Sequence, residues 1–433
     1  MVKRILVTPF QKFVRIESLS GMLLFGATVL ALVLANSPLA DQFQSLWQYK
    51  IGISTSSFEL IKPLILWIND GLMAIFFFVI GLEIKRELLI GELNTVKKAS
   101  FPLFAAIGGM LVPVLIFLVL NRNPDNSHAW GIPMATDIAF SLAILTLLGK
   151  RVPIGLKVFL IAFAIVDDLG AVMVIALFYS GSIKWSLIGI SLVLLAILFF
   201  LSYRKIFSHA LFLPVGIVIW VLFLKAGIHP TIAGVLMALT IPIRQQMRVE
   251  SSVGDLCEIV DGIKDSADPS SPLLTKTQIE GIDELEDWTG KVQSPLQLLE
   301  HKLHNWVAFL IMPLFALSNA GVSFQGGGSL DSKLGGIIVI SLVVGKLIGV
   351  TLLSWLGVKL RFAELPEGVN FKQVIGISLL AGVGFTMSIF VANLAFYGNA
   401  YLLDSAKAGI LIGSLIAGIS GYMVLRMSSP KKE

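Results

Sequence analysis

Ile161-Ala-Phe-Ala-Ile-Val-Asp-Asp-Leu-Gly170 places two adjacent carboxylates, Asp167 and Asp168, inside an apolar stretch long enough to cross a bilayer. A charged side chain at bilayer mid-depth costs about 2.5–3.5 kcal/mol on insertion scales. A chain keeps two such acids together only where a water-filled cavity, a partner or a bound cation offsets that cost. The bland alternative, two acids hydrogen-bonded to serve helix packing, stays open at this point. Adjacent helical residues point about 100° apart. One acid can therefore meet a ligand while the other meets a neighbouring helix.

Outward from that pair the whole chain is apolar. Of 433 residues, 56% are hydrophobic and only 14% are charged. Such a composition belongs to an all-α polytopic membrane protein rather than a soluble domain. The formal charge of +5 is no sign of a nucleic-acid partner, because the basic residues lie between the apolar runs. Cys257 is the only cysteine, which excludes an intramolecular disulfide. The apolar run after basic Lys3 and Arg4 lacks a convincing small-residue cleavage site, so it reads as an uncleaved first helix.

Apolar windows of about 20 residues fall near 18–36, 59–82, 99–120, 132–148, 154–179, 183–202, 206–223, 227–243, 296–322, 335–356, 373–398 and 404–426. These are about twelve spans. With the N-terminus in the cytoplasm, the clusters Lys85/Arg86/Lys97/Lys98, Lys150/Arg151/Lys157 and Lys359/Arg361/Lys372 are all cytoplasmic. The other side keeps scattered cations such as Lys50, Lys62 and Lys225. The positive-inside bias therefore puts both termini in the cytoplasm. The chain divides into membrane helices over 1–243, a polar acid-rich insert over 244–295, membrane helices over 296–426 and a tail over 427–433. The insert, from Glu250 to Pro295, reads as mobile with a short helix near 280–288. Alternation around Gly52 between Trp47 and Phe58 suggests a small extracellular β-hairpin.

Four further segments carry polar groups at depth or at span ends. Pro133-Met-Ala-Thr136-Asp137 opens a short span and suggests an interrupted helix, with a simple N-cap as the alternative. Lys346, in Val343-Val-Gly-Lys-Leu-Ile-Gly349, is too deep to snorkel easily; it requires an acid, a helix C-terminus or a proton-carrying role. Ala381-Gly-Val-Gly-Phe-Thr386-Met-Ser388 reads as a second unwound segment or as close small-residue packing. Glu83, Arg86 and Glu87 share a helix face at a span end, as a charge network or an interfacial anchor. Glu300, His301 and His304 open a later span, as a pH-sensing group or a solvated helix start.

These motifs together resemble the bacterial NhaA-type sodium/proton antiporters. The resemblance rests on Ala135-Thr-Asp-Ile-Ala-Phe140, Val166-Asp-Asp-Leu-Gly-Ala171, Gly81-Leu-Glu-Ile-Lys-Arg-Glu87, Gly345-Lys346 and the stretch 313–322. It covers nearly the whole chain. It implies twelve helices built as inverted repeats, with the fourth and eleventh interrupted and crossing at the midplane, an architecture for which this family is a standing example. It implies that Asp167 and Asp168 carry sodium and protons, with Thr136 at the crossing. Asp137 would offset positive half-helix ends, and Lys346 negative ones unless it joins proton exchange. Glu83, Arg86, Glu300 and His301 match a pH-responsive network, and the hairpin matches a homodimer contact. One departure is Leu347, where members often have Pro after the membrane lysine. The implied localisation is the bacterial inner membrane.

Sodium is a hard cation that prefers oxygen ligands. Burial raises a carboxyl pKa and a bound cation lowers it, so one site can hold sodium or protons in turn. The expected activity is electrogenic, pH-regulated export of sodium, and of lithium, in exchange for protons, with no resident cofactor. Two protons per sodium would move one net charge, to which the membrane potential contributes about 2.3 kcal/mol per 100 mV. The rival of nearest class is a sodium-coupled symporter of a small organic solute. An enzyme is not expected: an intramembrane aspartyl protease needs acids on facing helices in Tyr-Asp and Gly-x-Gly-Asp contexts, and Gly382-Val-Gly384 is followed by Phe385.

Overall fold

The computed structural model describes residues 9–56, 59–91, 93–181, 183–204, 206–244, 249–266, 273–323 and 330–428. Residues 1–8, Phe58 and 429–433, on which the leader, hairpin and tail readings partly fall, lie outside the described residues.

Among the described residues, seven helices are long and apolar enough to cross a membrane: Ser18–Ala35, Leu64–Leu89, Val96–Leu120, Ile154–Phe178, Trp185–Tyr203, Ser332–Lys359 and Ala400–Ser428. Two bent pairs, Pro124–Met134 with Ile138–Leu147 and Phe371–Leu380 with Phe385–Ala395, turn by 47° and 44°, and counting each pair as one broken span brings the set to nine. The shorter apolar helices Ala210–Ala226 and Thr231–Thr240 and the segment 295–319 complete the set. Every apolar window found in the sequence thus has a helical counterpart, numbered below as first to twelfth spans. The molecule is a multi-pass membrane protein. Its outward side chains, such as Leu111, Phe199 and Ile416, are apolar and exposed. Lipid offers helices no hydrophobic drive to associate, so close packing must supply it. Gly108 of the third span and Gly349 of the tenth show how: a Cβ on either would collide with the other's backbone carbonyl.

Breaks and bulges fall where the sequence weakens the helix. The second, ninth and tenth spans each contain a π-helical turn, at Trp67–Leu72, Val307–Ile311 and Ser341–Gly345. Such turns widen the helix and recur at functional sites. The third of them ends immediately before Lys346, so Leu347 sits in a regular helix.

Two expectations need correction. The hairpin is present but lies later than Trp47–Phe58: β1 (Lys50–Ser54) pairs with β2 (Glu59–Pro63), and Gly52 faces Ile61 in mid-strand. Trp47 belongs to the preceding helix, Ala40–Gln48. The alternation continues through Leu60-Ile-Lys62, so the first five residues of the second apolar window, 59–63, are strand. The insert is also more ordered than its composition suggests. It forms two helices, Val249–Asp265 and Lys276–Val292. A reciprocal capping box between Thr275 and Gln278 starts the second. The Trp288 indole N–H donates to the Ser252 carbonyl at 3.0 Å and pins the two together. Apolar residues at helical spacing outweighed the acidic composition.

Candidate functional site

The two bent spans meet at their breaks. The Asp137 N–H donates to the Val383 carbonyl at 2.7 Å, and the hydroxyls of Thr136 and Ser141 donate to the Ala381 and Leu380 carbonyls at 2.9 Å each. In return the Ser388 hydroxyl donates to the Ile132 carbonyl at 2.8 Å. Backbone groups released by the breaks are thus satisfied by the opposite span, which membrane depth requires. Gly384 allows the approach, since a Cβ there would lie 2.8 Å from the Ala135 carbonyl oxygen.

The crossing leaves helix ends of both signs facing mid-depth. Asp137 caps the second half of the fourth span, its Oδ1 accepting the Phe140 N–H at 3.0 Å. Its Oδ2 accepts the Thr386 N–H at 3.1 Å and the Thr386 hydroxyl at 2.5 Å, so one carboxylate serves the N-termini of both half-helices. Lys346 answers the opposite sign. Its ammonium donates to the Met134 carbonyl, at the C-terminal end of the first half-helix, and to Thr136 Oγ1 at 2.9 Å. It also forms a two-pronged ion pair with Asp167, at 3.1 and 3.0 Å, with neither side chain exposed.

Asp168 is differently placed. It is 2% exposed, and its Oδ1 has no hydrogen-bond partner among the described residues. It lines a cavity of about 70 Å³ with Thr136, Asp137, Thr386, Glu83 and His304. Adjacent in sequence, the two acids are divided by helical geometry: Asp167 turns to the tenth span and Asp168 to the cavity. The cavity runs from the crossing toward the face bearing the insert. What it offers a guest is oxygen, one carboxylate with a free lone pair beside two hydroxyls. That chemistry suits a small hard cation.

Near the cavity mouth the structure groups Glu83, Arg86 and Glu300, and separates His301 from them. Arg86 Nε lies 3.0 Å from Glu300 Oε2, and an Arg86 terminal nitrogen 2.6 Å from Glu87. The histidine that faces Glu83 is His304, at 3.9 Å, while His301 is exposed. Sequence reasoning missed the cavity walls supplied by Ser20, Phe76 and Met312. Apolar and hydroxyl residues on three separate helices carry no local signal.

Known proteins resemble this chain over nearly its whole length. The family model described as Na+/H+ antiporter 1 matches residues 11–425. A protein named Na(+)/H(+) antiporter NhaA from Oleidesulfovibrio alaskensis is 47% identical over 425 residues, which cover 98% of this chain and 94% of the relative. Relatives of the same name from Bacteroides thetaiotaomicron and Yersinia enterocolitica are each 43% identical, covering 96% and 98% of this chain and 96% and 97% of their own lengths. With the match running through both breaks, the paired acids and the membrane lysine, the chain belongs to the Na+/H+ antiporter 1 family.

Proposed function

We propose that this protein exports sodium, and lithium, in exchange for protons at Asp168, by alternating access across the bacterial inner membrane. The observation that carries this reading is the free Asp168 oxygen in the wall of an otherwise satisfied crossing. Sodium entering the cavity takes the Asp168 carboxylate with Thr136 as an oxygen neighbour, while Asp137 and Lys346 hold the broken helices open around it. A buried carboxyl resists ionisation until a cation relieves it, so sodium and a proton exclude each other there. The second proton belongs to the Asp167–Lys346 pair, which gives it up when the cation's charge arrives beside it. Two protons against one sodium make the cycle electrogenic, and the membrane potential adds about 2.3 kcal/mol per 100 mV.

Positive-inside bias supports cytoplasmic termini, which makes the face bearing the insert cytoplasmic and the β-hairpin face extracellular. Glu83, Arg86, Glu300 and His304 at the cavity mouth then form the pH-responsive entrance. The cycle needs no resident cofactor. A solute symporter would require an organic pocket, and the relatives named above carry the antiporter name instead. Replacing Asp168→Asn is expected to abolish sodium-dependent proton movement in everted vesicles while the protein still inserts and folds. Full exchange by that variant would sink the reading.

A further inference from the structure

On the β-hairpin side of the crossing lie three asparagines to which the ion site gives no role, although Asn319 falls in the stretch 313–322 that carries the resemblance. Asn69 sits in the π-helical turn of the second span, Asn319 ends the ninth, and Asn393 lies in the second half of the eleventh. Asn69 and Asn319 exchange amide hydrogen bonds at 3.1 and 2.8 Å. The Asn393 amide donates to the same Asn319 oxygen at 3.0 Å and to the Ile389 carbonyl at 2.9 Å. Asn319 is wholly buried, so its double acceptance is made away from water.

The connectivity gives these bonds unequal meanings. The eleventh span is tied to the fourth by six hydrogen bonds around the breaks: Asp137 N–H to Val383, Thr136 to Ala381, Ser141 to Leu380, Ser388 to Ile132, and both the N–H and the hydroxyl of Thr386 to Asp137. Those two spans are a mechanical unit. The second and ninth spans make their most extensive contacts elsewhere, with the eighth and the first respectively. Among the described residues, Asn393 to Asn319 is the hydrogen bond that joins the eleventh span to the ninth. One turn deeper on the same helix, Phe390 packs against Phe77 of the second span and Phe315 of the ninth, with ring centroids 5.5 and 6.2 Å apart. The cavity reaches Asp168 from the opposite side. Asn393 and Phe390 therefore stand where the site is shut.

We infer that the Asn393–Asn319 amide bond is an extracellular latch, held in register by Asn69, which closes the ion site from outside and must part each time the crossed fourth and eleventh spans turn outward. Asn69 keeps the Asn319 oxygen aimed at Asn393 through both states. The inference rests on the alternating-access reading, and concerns positioning residues rather than ion ligands. A buried bond between neutral amides is well matched to such a latch. Its loss shifts a two-state population by about threefold or more, so the bond biases the equilibrium without freezing it.

The test starts from a Cys257→Ser chain carrying Asn319→Cys with Asn393→Cys, reconstituted and treated with a short reducible bis-thiol cross-linker. Cross-linking should stop sodium-driven proton flux, and reduction should restore it. The same linker between Asn69→Cys and Asn319→Cys should leave flux close to its reduced level, because those residues move together. Undiminished flux in the first pair, or equal inhibition in the second, overturns the latch. An ion-independent arm keeps this separate from the identity of the transported ion. With Ile389→Cys as reporter, Asn393→Ala should speed labelling by an impermeant maleimide from the hairpin side by about threefold or more, the population change expected from losing one hydrogen bond. An unchanged labelling rate also overturns the latch, whereas absent exchange in reduced, normally labelled protein overturns only the antiport reading.

Discussion

At the scale of single residues, two neighbouring aspartates perform different work because a helix turns by about 100° between them. Asp167 is committed to Lys346, and Asp168 is left to the cavity. Removing one member of a buried pair strands the other, which typically costs about 3–5 kcal/mol, whereas removing both costs far less. Lys346→Ala should therefore lower thermal stability strongly, leaving Asp167 unpaired and the Met134 carbonyl without its donor. Adding Asp167→Asn to Lys346→Ala should recover much of that loss. A double-mutant cycle by thermal unfolding in detergent checks this. Additive losses from the two substitutions would show that the pair is not coupled.

At the scale of elements, sequence and structure diverge most where a segment's form depends on what packs beside it. The interruptions in the fourth and eleventh spans were legible from Pro133, Thr136-Asp137 and Gly382-Val-Gly384. Helix breakers and mid-span polar groups act locally, and the chain must re-satisfy the freed backbone somewhere. The strand boundaries and the paired insert helices were not, since both depend on which segment packs beside them. The entrance network shows the same limit. Glu300 and His301 are neighbours in sequence, yet the start of the ninth span turns Glu300 to Arg86 and His304 to Glu83 and leaves His301 outward. Glu300→Gln and His304→Ala should each move the pH of half-maximal exchange by about half a unit or more, equivalent to ~0.7 kcal/mol. His301→Ala should leave it in place. A pH series of sodium-dependent proton flux decides, and a shift confined to the His301 variant would reverse the assignment.

At the scale of the whole molecule, the breaks, the ion pair and the amide latch arrange the helices into a crossed unit and a body against which it bears. The two-stranded sheet is fastened to the helices by the Trp67 indole on the Ile51 carbonyl, Lys225 on the Glu59 carbonyl and the Lys62–Asp70 ion pair, at 2.8, 2.6 and 2.7 Å. Every residue of β1 is exposed, including Ile51 and Ile53, and a two-stranded sheet leaves both edges unpaired. Open strand edges recruit a second copy unless they are blunted. We propose that the sheet joins two protomers. Ile51→Lys combined with Ile53→Lys should convert a dimer to monomers by light scattering in detergent, with exchange per protomer retained. A persistent dimer would place the interface elsewhere.

The amino-acid sequence alone determined the membrane class, the run of apolar helices, the two candidate points of interruption and the depth of the acids and the lysine. Each of these follows from local hydropathy, helix breakers and the cost of charge in lipid. Only the tertiary structure decided which aspartate Lys346 holds, which histidine meets Glu83, where the hairpin turns and that three asparagines converge. Asp167 and Lys346, like Asn69 and Asn319, are distant in the chain, and their meeting depends on how closely glycine-lined helices approach and on the turn at which each helix bends.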